Sequence, residues 1–147
     1  MLTIVALVSC MMFTSAFAGS CRDGWVKFDK SCYYGYIYAL YTYDEARTIC
    51  DGLSSDLAIV DDADENLFLQ QFTLGKYHIW IGLSDAAEEG NWVWVDNSAA
   101  SYINFSDGEP SDVSESENCV HIWANKDGQW NDSGCQNLRG FVCEKAS

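Results

Sequence analysis

Six cysteines, Cys21, Cys32, Cys50, Cys119, Cys135 and Cys143, lie between residues 19 and 147 of this chain. An even number in a secreted domain implies a disulfide framework. Six cysteines allow fifteen pairings, and spacing alone does not choose among them. A zinc site is the poorer reading, because no Cys-x-x-Cys occurs and His78 and His121 are the chain's two histidines. The seventh cysteine, Cys10, lies in a stretch of a different kind. Residues 1–18 carry no charged side chain, are apolar over 2–8 and 11–17, and end in Ala16-Phe17-Ala18 before Gly19. That pattern is read as a secretory signal peptide, removed with Cys10. Eighteen residues barely reach the length of a membrane-spanning helix. No later stretch approaches one, and Ile79 to Leu83 is the nearest. The expectation is a leader over 1–18, one domain over 19–147, an extracellular location and no membrane insertion.

The chain can fill a core, since 48% of it is apolar and 14% aromatic. Its 22 acidic residues against 8 basic ones leave a formal charge of −14. Such a surface repels phosphate backbones, which excludes nucleic acid as a natural partner and favours cations.

Periodicity places the elements coarsely. Residues 21–43 are dense in aromatics, with the period-two pattern of strands. Thr42-Tyr43-Asp44-Glu45 is a capping box that opens a helix, with Ala46, Ile49 and Cys50 as its apolar stripe and Gly52 as its stop. A second helix starts near Asp62, with Glu65 three residues on, and ends at Gly75. Strands are expected at 79–83, 91–96, 120–123, 128–130 and 141–143. Trp25, Trp80, Trp92, Trp94 and Trp123 read as core or sheet-face residues, and His121 as a satisfied structural histidine. Between them, Ser98 to Asn118 is polar and acidic and lacks regular patterning. Two early helices, short late strands and one long loop make an α+β domain. A loop of that length in a compact domain is usually functional.

The loop carries Asp107, Glu109, Asp112, Glu115 and Glu117, with no Lys or Arg between Ser106 and Asn118. Like charges this close are costly unless a cation offsets them. Calcium, which takes six to eight oxygen ligands, suits carboxylates and amide carbonyls. Asn131-Asp132 adds one of each after Trp130.

Glu109-Pro110-Ser111, Glu117 two residues before Cys119, and Trp130-Asn131-Asp132 before Cys135 together resemble the calcium and sugar site of C-type lectin domains. Trp80-Ile81-Gly82-Leu83, the first helix from Thr42 to Arg47, Leu57-Ala58-Ile59-Val60 and the six cysteines match that family's long form, so the resemblance covers nearly all of 19–147. It implies two helices, two small antiparallel sheets and a calcium-binding loop region. It also implies disulfides Cys21–Cys32, Cys50–Cys143 and Cys119–Cys135, and a cis bond before Pro110, the chain's one proline. The principal calcium ligands it implies are Glu109, Ser111, Glu117, Asn131 and Asp132, the same residues that would hydrogen-bond a sugar's vicinal hydroxyls. An auxiliary calcium site would use Asp85, Glu89, Asp112 and Asn118.

The chain departs from the family at position 111. The mannose-type motif is Glu-Pro-Asn and the galactose-type motif Gln-Pro-Asp, and here Ser111 stands third. A serine hydroxyl is shorter than an amide and either donates or accepts, which blurs the distinction between the two sugar classes. Glu109 keeps the mannose-type half, and 113–116 offers no aromatic platform. Mannose-, glucose- or fucose-like diols are therefore expected. Asn104-Phe105-Ser106 and Asn131-Asp132-Ser133 are glycosylation sequons, and a glycan on Asn131 would fill the implied calcium site.

The resulting expectation is a secreted, calcium-dependent lectin that takes part in microbial recognition or agglutination. Any homo-oligomer would use domain faces, since no coiled-coil heptads occur. The alternatives are an acidic mineral- or matrix-associated protein, and an ice- or protein-binding descendant of the fold. An enzyme is not expected, because the acids cluster as cation ligands rather than as a glycosidase pair.

Overall fold

The computed structural model describes residues 20–111 and 116–147. The leader expected over 1–18, and with it Asp112 and Glu115, fall outside the described residues.

The aromatic N-terminal stretch forms β1 (Val26–Phe28) and β2 (Ser31–Tyr41), an antiparallel hairpin stapled by Cys21–Cys32. Helix α1 (Tyr43–Asp51) follows at once. It starts there because Thr42 Oγ1 accepts the Glu45 N–H at 3.3 Å while Glu45 Oε2 accepts the Thr42 N–H at 2.9 Å, which satisfies two of the helix's orphan donors. Tyr43, Ala46 and Cys50 form its buried face. After β3 (Asp56–Leu57), helix α2 (Ala63–Gln70) begins at the Asp62 cap and runs into a 3-10 turn over Gln71–Thr73. It stops at Leu74 and Gly75, which take φ of 50° and 65°.

Strand β4 (Ile79–Ser84) is the buried strand its continuous apolar run predicts. It lies between β8 (Arg139–Ala146), which pairs with it in parallel, and β6 (Cys119–Ile122), which pairs antiparallel. β5 (Val93–Trp94) flanks β4, and β7 (Trp130–Ser133) completes the path β1-β2-β8-β4-β6-β7. The two antiparallel sheets expected are thus joined into one mixed, eight-stranded sheet by the pairing Ile79↔Gly140 and Trp80↔Phe141. Gly140 permits the junction, because a Cβ there would stand 2.9 Å from the Tyr36 carbonyl oxygen.

Two expected strands change their limits. Only Val93–Trp94 pairs within 91–96, because the chain turns back at Asn97 (φ 66°), whose N–H bonds the Trp94 carbonyl at 2.8 Å. The strand expected at 128–130 starts instead at Trp130 and carries Asn131 and Asp132, because Asp127 and Gly128 take the left-handed conformations of the preceding turn.

The sheet divides the core in two. Ile79, Ile81, Leu83, Val120, Ile122, Trp130 and Val142 pack on one face, and Trp80, Cys119, Phe141 and Cys143 pack against α1 on the other. Trp80 and Trp94 are buried, while Trp25, Trp92 and Trp123 are half-buried, Trp25 and Trp92 being packed against the core. The implied pairings Cys50–Cys143 and Cys119–Cys135 are present. The first ties α1 to β8 across 93 residues of sequence. Closing so long a loop stabilises by about 4–5 kcal/mol in the chain-entropy account. Among the described residues no helix is long and apolar enough to cross a membrane.

Candidate functional site

Strands β6 and β7 form the platform. Their register sets Val120 against Asp132 and His121 against Asn131, with Glu117 and Asn118 leading directly into β6. The long loop is tied to this platform through Trp130, whose carbonyl accepts the Ser106 N–H at 2.9 Å, and the Glu109 N–H in turn bonds the Ser106 carbonyl at 2.9 Å. The Glu109–Pro110 bond is cis. Beyond it, the Ser111 N–H donates to Asp132 Oδ1 at 3.1 Å and the Ser111 hydroxyl donates to Glu117 Oε2 at 3.3 Å. Serine at position 111 therefore joins two of the acids it was expected to accompany. Glu109 faces the same group. Burial pushes its carboxyl above the usual range, the Asp132 carboxylate adds to this, and the hydroxyl and N–H of Ser111 offset part of it. Glu109, Ser111, Glu117, Asn131 and Asp132 thus stand on one loop–platform junction.

The proposed auxiliary residues are brought together in part. Asp85 is 1% exposed, its N–H bonds the Asn118 carbonyl at 3.3 Å, and its Oδ2 accepts the Gly90 N–H at 2.9 Å. Glu89 lies exposed on the same turn, and Asp112 is outside the described residues.

Whether this donor set fits calcium can be tested on the acceptors themselves. Glu109 Oε2, Asn131 Oδ1, Asp85 Oδ1 and Asn118 Oδ1 are buried oxygens with no hydrogen-bond partner among the described residues. A buried acceptor without a donor costs about 1–3 kcal/mol, and oxygens in that state suit a hard cation. Among the described residues no trio of His, Cys, Asp or Glu side chains is gathered tightly enough to hold a metal ion. The set therefore depends on the amide and hydroxyl oxygens of Asn131 and Ser111 as well as on its acids.

Two other buried polar atoms are equally unpartnered, His121 Nδ1 and Arg139 Nε. His121 is buried as expected but not satisfied as expected. Its ring stands 5.0 Å from that of His78 and 5.9 Å from Trp80, centroid to centroid. Burial first, then the Arg139 charge, holds it well below the ordinary histidine range. Arg139 lies over the Trp80 ring, and burial lowers its own pKa to about 10.

Periodicity did not show two further clusters. Tyr33 donates its hydroxyl to Glu65, and to Glu144 Oε1 at 3.3 Å. The two carboxylates accept the Asp61 and Ile59 N–H groups at 2.7 and 2.9 Å, beside a cavity of about 380 Å³. Glu65 signals only a helix start in the sequence, and nothing local links it to Glu144. The second cluster supports the platform. Asn66 Oδ1 accepts the Trp130 indole N–H at 2.8 Å, and Asn66 Nδ2 donates to the Gly128 carbonyl at 3.0 Å. Of the sequons, Asn104 is half-buried with its Nδ2 bonded to the Gly128 carbonyl at 2.9 Å, and Asn131 lies on β7.

Comparison with known proteins shows the family of the fold. The family model described as the lectin C-type domain matches residues 39–145. The chain is 33% identical over 131 residues to the CD209 antigen-like protein A of Mus musculus, covering 87% of this chain and 53% of that one. It is 30% identical over 156 residues to a C-type lectin of Cerberus rynchops, covering 97% of this chain and 96% of that one. It thus spans about half the length of the mouse relative. Among solved structures, the cow carbohydrate-recognition domain of CD23, determined in the presence of a GlcNAc2Man3 oligosaccharide, superposes with a TM-score of 0.79 at 34% identity, covering 87% of this chain and 97% of that one. A calcium-independent type II antifreeze protein superposes equally well, with a TM-score of 0.79 at 27% identity, covering 86% of this chain and 95% of that one. The chain belongs to the C-type lectin domain family. Lectins of that family bind carbohydrate and usually calcium, and some of its members, such as the antifreeze protein, need no calcium.

Proposed function

We propose that residues 19–147 form a secreted, calcium-dependent carbohydrate-binding domain that takes mannose-like vicinal hydroxyls, in microbial recognition or agglutination. The observation that carries this reading is the set of unpartnered acceptors at Glu109 and Asn131 on the junction that also holds Ser111, Glu117 and Asp132. Those five residues would hold the ion, and Asp85, Glu89, Asp112 and Asn118 would hold a second one. When bound, calcium would supply coordination to the oxygens of a sugar diol. The chain's own residues do the rest. Glu109 and Glu117 accept hydrogen bonds from the hydroxyls and Asn131 donates through its amide. The hydroxyl of Ser111 turns to either role. The platform β6–β7 keeps these groups at fixed separations, so that one set of oxygens holds the cation and reads the ligand.

A glycan array run with and without a chelator tests the reading. Retention on mannose-type glycans that disappears on chelation is expected, and retention unchanged by the chelator would refute it. The double variant Glu109→Gln, Asn131→Asp should lose retention on mannose resin by at least tenfold while keeping the wild-type circular dichroism. A variant that binds as well as the wild type would remove these residues from the site.

A further inference from the structure

A different face of the molecule breaks two habits of this chain. None of the 22 acidic residues falls in 31–42, 66–84 or 133–143, whose basic residues are Lys76 and Arg139. The fold brings the three segments together. Tyr41 pairs with Arg139, the Tyr38 and Tyr77 rings meet edge to face at 5.9 Å, and a Cβ on Gly140 would lie 3.2 Å from Ile37 Cα and 3.6 Å from the His78 carbonyl oxygen.

The second habit concerns open strand edges, which are normally protected by charged side chains. The register of β2 against β8 shifts between Tyr36 and Tyr41, and the intervening strand residues Ile37-Tyr38-Ala39-Leu40 carry no charge. Tyr38 is 79% exposed and Leu40 49%. Leu74, on the turn before Tyr77, and Leu138, next to Arg139, are 58% and 59% exposed. These four account for most of the seven large hydrophobic residues found exposed among the described residues. Together they present on the order of 500 Å² of apolar surface, the upper end of what a monomer leaves uncovered. The outer edge of β2 is also open here, since β1 covers it only over Ser31–Tyr33 among the described strands.

We infer that this face is the contact surface of a homodimer, with the Tyr38–Leu40 segments of two copies packed against each other about a two-fold axis. A second copy is the occupant that the charge distribution favours. Two chains of −14 repel each other wherever carboxylates meet, and on this face none of the three segments brings one. An isologous contact needs only that the patch complement itself, which an apolar strand edge does. The area is below the roughly 800 Å² per partner of a standard stable interface, so the dimer is reversible. Because the remaining charge opposes it, added salt strengthens it by screening. Dimerisation would pair two weak ligand sites, but the inference stands without the calcium and sugar reading.

Sedimentation velocity of the disulfide-intact protein, over a wide concentration range at low and high sodium chloride, tests it. A monomer–dimer equilibrium is expected, with an association constant several-fold larger at high salt. Tyr38→Asp with Leu40→Asp should lower that constant at least tenfold, whereas Ile103→Glu, at an exposed apolar residue elsewhere, should leave it unchanged. Tyr38→Ser with Leu40→Ser gives a milder check, and an unaltered melting temperature shows that either variant is folded. A monomer at every concentration and salt would overturn the inference, as would a dimer indifferent to both double variants. Flotation of monomeric protein with phosphatidylcholine vesicles, lost in the Tyr38 and Leu40 variants, would assign the face to lipid instead and would equally overturn it.

Discussion

Ser111 is where this chain differs most from the motifs it resembles, and its contacts explain how the site tolerates the change. The short side chain donates its hydroxyl to Glu117 while its N–H holds Asp132, so the loop stays docked with a shorter-reaching oxygen to offer an ion. Ser111→Asn restores a longer carbonyl and an amide donor. It should tighten calcium-dependent retention on mannose by about threefold to tenfold, the range of one added hydrogen bond. Equal elution from mannose resin would mean that position 111 does not touch the sugar. His121 sets a second expectation at this scale. Burial and Arg139 hold it neutral in the fold, whereas the unfolded chain takes up a proton near pH 6.5. The unfolded state therefore binds more protons below that pH, and stability falls as acid is added. Melting temperatures measured in chelator from pH 7 to pH 5 should fall more steeply for the wild type than for His121→Phe. Parallel curves would show that His121 does not titrate on unfolding.

Elements that the sequence announced locally formed close to where they were expected. Thr42 and Glu45 cap α1 because both partners lie within one turn of chain, and β4 reads as buried because its neighbours on both sides are strands. The strand carrying Asn131 and Asp132 was legible only in part. Its start depends on the left-handed turn at Asp127 and Gly128, and its support is Asn66, on a helix far away in sequence. The hydrogen bonds that Asn66 makes to Trp130 and Gly128 join α2 to the β6–β7 platform. Asn66→Ala leaves a buried indole N–H and a carbonyl without partners, and should cost about 2–3 kcal/mol in chemical denaturation. It should also weaken calcium binding, since β7 carries two of the proposed ligands. A loss below about 0.5 kcal/mol would show that the link is not structural.

At the scale of the whole molecule, a cation binding only the folded state should raise its stability. One site at a hundredfold excess over its dissociation constant contributes about 2.7 kcal/mol. Saturating calcium should therefore raise the melting temperature by several degrees, with a smaller rise in Glu109→Gln, and a melting curve indifferent to calcium and chelator would count against the ligand set. The fold class was legible in the chain because residue types at characteristic spacings, such as Glu109-Pro110-Ser111 or Trp130-Asn131-Asp132, resemble one family, and the disulfide pairing followed from that resemblance rather than from the spacing of the cysteines. The joining of the sheet through β4 and β8, the unpartnered Nδ1 of His121 and the exposed apolar face around Tyr38 were not legible there. The pairing of β4 with β8 and the burial of His121 are decided by which distant segments pack together. The apolar face is assembled from three separate stretches, each of which is ordinary alone. Local chemistry is written along the chain, whereas burial and the company a side chain keeps exist only once the chain has closed on itself.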